Sequence, residues 1–280
     1  MKIVKVERAG AAAEGLIDGD SVQIIGGWHP CAAVDAPFDL SKRTADELRA
    51  LQAAASERVP LSSVKLAVPI DPRAKILCVG MNYRDHLGEI KVDESKDPVI
   101  FIRYHDSLVP HDAPVVRTKV SETFDFEGEI AIVIGRDARH VRVEDALSHV
   151  GGYTCFMDGS VREYQRHSII AGKNFWRTGS MGPWIVPAAD FGVADPALET
   201  RLNGQTVQSS HASLMIFGIP QIIAYCSRVT PLRPGDVIAT GTPGGVGSRR
   251  EPPLWMKAGD RIEVEIEGVG RLSNPVIDED

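Results

Sequence analysis

The sequence predicts an α+β fold that is mainly β. Short strand-like runs outnumber helical ones, the helical patterns are short, and no internal repeat period appears. The 280 residues suffice for one large domain carrying a small appendage. An apolar share of 43% and a charged share of 25% exclude a disordered chain. The formal net charge of −7 argues against a nucleic-acid or anionic-membrane surface.

The elements follow in order. Residues 2–7 and Gly15 to Ile25 read as short strands, the second broken by the turn Asp18-Gly19-Asp20. Thr44 is placed to cap a helix, with Glu47 at capping-box spacing and Leu48, Leu51 and Ala55 following. Pro60 to Pro72 reads as a linker, which gives a small domain over 1–70 and a larger one over 71–280. Lys75 to Gly80 is nearly all apolar and suits a strand buried on both faces. Asn82 is placed to cap a short helix on which His86 and Glu89, three residues apart, share a face. A carboxylate beside an imidazole fixes its tautomer and raises its basicity, as a general base requires. A plain surface pair is the alternative. The polar stretch 90–97 reads as a possible moving cover, or as an ordinary surface loop.

Pro98 to Arg103 returns to strand. Arg103 can hold a substrate carboxylate or pair with a structural acid. Arg142 to His149 and Ser160 to Ser168 read as short helices around a strand, Gly151 to Phe156, that delivers Asp158. Leu202-Asn203-Gly204-Gln205 is a hairpin turn, and Ile219 to Cys226 is an amphipathic helix with Pro220 in its first turn. Gly241-Thr242-Pro243-Gly244-Gly245-Val246-Gly247 is Gly-rich but matches neither GxGxxG nor a Walker A loop. Its amides can still cradle an oxyanion. Arg261 to Ile266 and Gly270 to Asn274 close the chain as strands.

The stretch with the most chemistry is Asp125 to Gly135. A strand from Glu129 to Ile134 has period-two alternation, so Asp125, Glu127 and Glu129 fall on one side. Crowded carboxylates repel and are costly to desolvate. A divalent cation relieves both costs, and Mg²⁺ prefers oxygen ligands. A solvated acidic strand end is the alternative.

The four cysteines, Cys31, Cys78, Cys155 and Cys226, form no CxxC pair, and neither a signal peptide nor a membrane-spanning run is apparent. A reducing, cytoplasmic location is the expectation.

Taken together, five landmarks resemble the fumarylacetoacetate hydrolase family over about residues 73–278. They are Gly80-Met81-Asn82-Tyr83 with His86 and Glu89; Phe126-Glu127-Gly128-Glu129; Gly152-Tyr153-Thr154 leading to Asp158, Arg162 and Gln165; Gly172-Lys173-Asn174-Phe175 before Gly182-Pro183-Trp184; and Pro234-Gly235-Asp236 before Thr240-Gly241-Thr242-Pro243. The resemblance implies a β-roll catalytic domain, usually a homodimer, often with a small N-terminal domain. It implies Mg²⁺, or Mn²⁺ or Ca²⁺, held by Glu127, Glu129 and Asp158. It implies His86 and Glu89 as a base pair, with Lys173 and Thr242 in the substrate site. Arg103, Tyr83, Gln165 and Gly241 join them as candidate substrate contacts. Asp125 matches no family ligand. Departures fall around the pocket: Met157 stands where asparagine is common, Arg103 where lysine is, and Tyr104-His105-Asp106 replaces a Pro-Ser pair.

The resulting expectation is metal-dependent C–C hydrolysis of a small anionic oxo acid of the acylpyruvate or fumarylpyruvate type, through an enolate. His86 would activate water, and Thr242 with the glycine amides would hold the oxyanion. Three carboxylates and one divalent ion leave one negative charge, so the substrate calls for Arg103 or Lys173. Oxaloacetate decarboxylation and hydroxymuconate-type isomerisation or hydration, as in aromatic catabolism, share the enolate. A non-catalytic metal- or ligand-binding module is the contrasting class.

Overall fold

A computed structural model describes residues 1–31, 40–90 and 93–280. The expected mainly β, α+β architecture holds. Among the described residues one 12-stranded mixed sheet has ten strands in spatial order, Glu57–Pro60, Ser21–Pro30, Ala11–Asp18, Ile3–Arg8, Gly179–Pro187, Val150–Met157, Gly128–Ile134, Val237–Ala239, Ile76–Gly80 and Val99–Arg103, with Lys65–Ala67 and Leu108–Val109 pairing off that path. A five-stranded sheet, with Ala197–Leu202, Arg261–Ile266 and Gly270–Asp278 at its centre, packs against it.

The central strand Gly128–Ile134 is buried at every position. Its alternation serves two cores. Ala131 and Val133 join Ile3, Leu16, Leu48, Ile76 and Phe156 in one cluster, and Ile132 and Ile134 join Ile222, Ile223 and Cys226 of the helix Ile219–Val229 in another. Each such isoleucine contributes about 1.5–3 kcal/mol on burial. The first cluster mixes residues from both sides of position 70. The N-terminal strands also join the main sheet edge to edge, at Ile3 against Ile185.

The N-terminal segment is a three-stranded meander, and the turn between its first two strands is tight, at Ala9-Gly10, so the second strand starts at Ala11 rather than Gly15. Ala9 and Gly10 have positive φ, 50° and 79°. Ala11-Ala12-Ala13 has weak strand propensity, and pairing with Ile3–Arg8 on one side and Ser21–Pro30 on the other makes it a strand. The helix Ala45–Ala54 carries the expected capping box between Thr44 and Glu47. Asn82 does not cap the helix Arg84–Ile90. Its amide donates to Phe217 O and Thr240 O and its carbonyl accepts from Phe217 N, so it ties three segments together. Arg142 to His149 is 3₁₀ rather than α over Val143–His149, and the helix expected from Ser160 shrinks to Arg162–Gln165. Within the polar stretch 90–97, residues 91 and 92 lie outside the described residues.

Candidate metal centre and active site

The separation of Asp158 from Glu129 in sequence is closed by strand pairing. Gly128 registers with Met157, and Asp158 N donates to Glu127 O at 2.8 Å. One carboxylate oxygen from each of Glu127, Glu129 and Asp158 then lies within 4.8 Å of the others, and all three residues are buried. Asp125 is not in this group. It accepts from Gly247 N at 2.7 Å, Ser248 N at 2.9 Å and Arg162 Nε at 2.7 Å.

Three cations surround these acids. Lys173 Nζ lies 2.5 Å from both Glu127 Oε2 and Asp158 Oδ2. Arg162 Nη2 is 2.6 Å from Glu127 Oε1. Arg103 Nη1 is 2.5 Å from Asp158 Oδ1. Burial pushes the Glu127 carboxyl up, but Lys173 and Arg162 pull it further down, to about 2. Glu129 goes the other way: burial, then the Asp158 charge, hold it well above the ordinary carboxylate range. Lys173 is lowered by burial and raised by Asp158 and Glu127, with a net upward shift. Four buried carboxylates thus face three cations, and Glu129 is the one under-compensated. Its one hydrogen bond here comes from Gly241 N at 2.8 Å. An all-oxygen donor set with a charge deficit at Glu129 fits a hard divalent cation and does not fit a thiophilic metal.

His86 and Glu89 lie on one face of the Arg84–Ile90 helix, as expected. Nδ1 is 3.6 Å from Glu89 Oε2, just beyond hydrogen-bond length, and both atoms are buried without a partner. A shift of about half an ångström would join them, and such catalytic contacts commonly tighten only when substrate binds. His86, Glu127, Glu129, Lys173, Thr242 and Gln165 all line one cavity of about 620 Å³. Gln165 Oε1 accepts from Arg162 Nη1 at 2.9 Å.

Four expectations change. Arg103 is not among the residues lining this cavity; its guanidinium is fully buried and grips Asp158, a candidate metal ligand, which leaves it no donor facing the cavity for a substrate. Tyr83 is also fully buried, packed in the core with its hydroxyl unpartnered and raised in pKa by burial. Gly241 contacts Glu129, and its φ of 99° explains why glycine stands there: a Cβ would lie 2.8 Å from Asn82 Cβ. The fourth concerns the oxyanion cradle. Gly244 N donates to Asp85 and Gly245 N to Glu89, at 3.0 and 2.7 Å. Thr242 Oγ donates to Gly128 O and accepts from Gln208 Nε2. The Gly-rich loop therefore cradles the protein's own carboxylates and pins the His86 helix.

Sequence reasoning marked Gln208 only as the start of a departure from the family pattern and gave it no structural role; its Oε1 accepts from Gly128 N at 2.9 Å. The same reading missed Arg166, Arg249 and Trp255 at the cavity wall. Only Arg166 left a trace, at i+4 from Arg162.

A sequence profile described as "Fumarylacetoacetate (FAA) hydrolase C-terminal" matches residues 75–277. A mitochondrial oxaloacetate tautomerase of Xenopus laevis is 40% identical over 223 residues, 77% of this chain and 69% of that protein. Among solved structures, a fumarylacetoacetate hydrolase from Exiguobacterium antarcticum aligns with TM-score 0.84 at 32% identity, covering all of both chains. A 2-hydroxyhepta-2,4-diene-1,7-dioate isomerase from Mycobacterium marinum aligns at TM-score 0.78 and 31% identity, covering 100% of this chain and 99% of the other.

Proposed function

The chain belongs to the fumarylacetoacetate hydrolase family of enzymes, and on that premise we propose that it is a divalent-metal-dependent enzyme that interconverts keto and enol forms of a small 2-oxo acid. The observation that carries this reading is the engagement of the loop amides. Hydrolysis needs donors aimed at a new oxyanion. Gly241, Gly244 and Gly245 already donate to Glu129, Asp85 and Glu89, and Thr242 donates to Gly128 O. Proton transfer at C3 needs only a base and a stabilised enolate.

Glu127, Glu129 and Asp158 would hold the ion, most simply Mg²⁺, with Mn²⁺ or Ca²⁺ as alternatives. When bound, it supplies positive charge for the 2-oxo-carboxylate end and lowers the cost of enolate charge. The chain's own groups do the rest. Lys173 and Gln165 orient the acid from the cavity wall. Glu89 steers His86 through Nδ1, leaving Nε2 to take the proton from C3 and return it. The name of the Xenopus relative accords with this chemistry.

C–C hydrolysis is the second reading, favoured by a cavity with room for a water beside a small acid. One assay divides them. With Mg²⁺, ketonisation of enol-oxaloacetate should accelerate, cease with EDTA, and fall about 100-fold or more in His86→Ala. Faster cleavage of an acylpyruvate than ketonisation would select hydrolysis, and full activity in EDTA would remove the metal from both. We also propose a homodimer, supported by exposed Tyr104, Ile169, Ile170 and Trp176, with light scattering as the check. A reducing compartment is proposed from the four free cysteines.

A further inference from the structure

A second cavity, of about 860 Å³, shares no lining residue with the first. It lies at the seam between the N-terminal segment and the rest of the chain. Lys5, Lys65 and Leu66 line it from one side, and His105, Arg177 and Trp184 from the other. The strand Lys65–Ala67 pairs with Ile3–Arg8 and has no second neighbour among the described strands, and residues 65–68 all line the cavity. Antiparallel register sets Glu7 opposite Lys65, with Lys5 diagonal to it on the same face. Opposed side chains there are about 5 Å apart and diagonal ones about 7–8 Å.

The charges of this cavity do not balance. Glu7 offsets Lys65, its neighbour in the register. Asp112, the other acid on the wall, has Arg261 and His111 each at 3.4 Å. Glu14, opposite Lys5 on the next strand, accepts from Leu40 N at 3.0 Å. Lys5 and Arg177 remain. Both are partly buried, and neither side chain has an ion pair or hydrogen bond among the described residues. Arg177 touches only the Trp176 ring, 5.1 Å from its centroid. Its backbone is fixed at φ 57°, rare for arginine, by Arg177 N donating to Asp106 O at 3.2 Å and its carbonyl accepting from Val116 N at 2.9 Å. His105 adds a buried Nε2 without a partner. Burial, then the Lys5 charge, lowers its pKa, so it enters as a neutral imidazole. Two uncompensated cations and one imidazole suit a single carboxylate, since arginine grips that group by two parallel bonds. Trp184, held by Nε1 donating to Val269 O at 2.7 Å, joins Leu66, Leu108 and Pro114 as apolar wall for the rest of a ligand. A mostly apolar cavity with a few convergent polar groups is the usual make-up of a small-molecule site.

The same wall adjoins the anchors of Arg103. Ser107 ends the 3₁₀ turn that begins at His105, and Thr178 follows Arg177. Arg103 donates from Nε to Ser107 Oγ at 3.1 Å and from Nη2 to Ser107 O at 3.3 Å and Thr178 Oγ1 at 3.0 Å, while Nη1 grips Asp158. We propose that the seam cavity is a second ligand site, for a monocarboxylate with an apolar body, and that its occupancy reaches the candidate metal ligand Asp158 through Arg103. A ligand that fixes the His105 turn and Arg177 holds Ser107 and Thr178 in place, so Asp158 has less to order when an ion binds. The ligand site is independent of the enolisation reading. The link to Asp158 rests on the metal part of that reading.

The probes are 2-naphthoate and its neutral isostere 2-naphthamide, titrated calorimetrically into the full-length protein. Naphthoate should bind about ten-fold more tightly or better, as charge-assisted hydrogen bonds imply. Lys5→Gln and Arg177→Gln should each erode that ratio, and Arg177→Lys should keep part of it. Equal binding of the two probes overturns the site. So does a preference that survives both glutamine variants, the result expected if naphthoate entered the active-site cavity instead. Mn²⁺ titration with and without saturating naphthoate tests the link. Naphthoate should tighten Mn²⁺ binding about five-fold or more, and Ser107→Ala, which removes the Nε contact of Arg103, should abolish that gain. An unchanged Mn²⁺ affinity overturns the link to Asp158. Failure of Mn²⁺ to bind at all would sink the metal reading and the link with it, while the naphthoate titration still decides the site.

Discussion

Replacing Arg103 by methionine tests whether this residue belongs to the substrate or to the scaffold. The guanidinium makes five hydrogen bonds: Nε to Ser107 Oγ, Nη1 to Asp158 Oδ1 and Gly159 O, Nη2 to Ser107 O and Thr178 Oγ1. Both Arg103 and Asp158 side chains are 0% exposed. Gly179 leaves room for the group, since a Cβ there would sit 2.7 Å from Nη2. Breaking a buried ion pair costs about 3–5 kcal/mol, because the remaining charge stays desolvated. Lys173 still compensates Asp158, which argues for the low end, while Gly159 O and Ser107 O lose donors, which argues for more. A loss near 4 kcal/mol follows. With a urea slope of about 3 kcal/mol/M, the unfolding midpoint should fall by more than about 1 M. Metal affinity should drop about 10–100-fold as Asp158 loses its anchor, measurable by Mn²⁺ titration. An unchanged midpoint with a large rise in KM would refute this reasoning and return Arg103 to the substrate.

Other outcomes follow from the same geometry. Gly128→Ala should destabilise by about 1–3 kcal/mol or more, since its Cβ would meet Thr200 Oγ1 at 2.0 Å; Thr200→Ala, which removes a buried hydroxyl without a partner, should recover part of that loss in a double-mutant denaturation cycle. Asp71 is lowered from 3.8 to about 2, chiefly by the Arg73 side chain. A depressed folded value means the stabilisation is present above about pH 4 and disappears as pH falls toward 2. Arg73 is 60% exposed, so the difference between wild type and Asp71→Asn should be about 1 kcal/mol at neutral pH and vanish near pH 2 in acid titrations of stability. Glu89→Gln should slow ketonisation with little change in Mn²⁺ affinity, because Glu89 contacts Gly245 and His86 rather than the triad; a parallel loss of metal would contradict its role as orienter of the base.

Much of the candidate metal centre was legible because strand alternation is local. Period two put Glu127 and Glu129 on one side and apolar residues on the other, and the buried run from Gly128 follows from that pattern. The His86–Glu89 face needed only helical spacing. Turns with standard chemistry, such as Asn203-Gly204, were equally plain, whereas Ala9 in a positive-φ turn was not, because alanine rarely adopts it.

The choice of partner for each charge was not legible. The sequence by itself determined which residues could serve a metal, a base and a core, because those properties reside in residue type and short-range period. Only the tertiary structure decided that Arg103 holds Asp158, that Arg162 joins Glu127 to Asp125, and that the glycine amides serve Glu129, Asp85 and Glu89. Those pairings span large sequence separations. A buried charge takes whichever opposite charge or N–H the packed strands bring within about 3 Å, and that distance is a property of the fold.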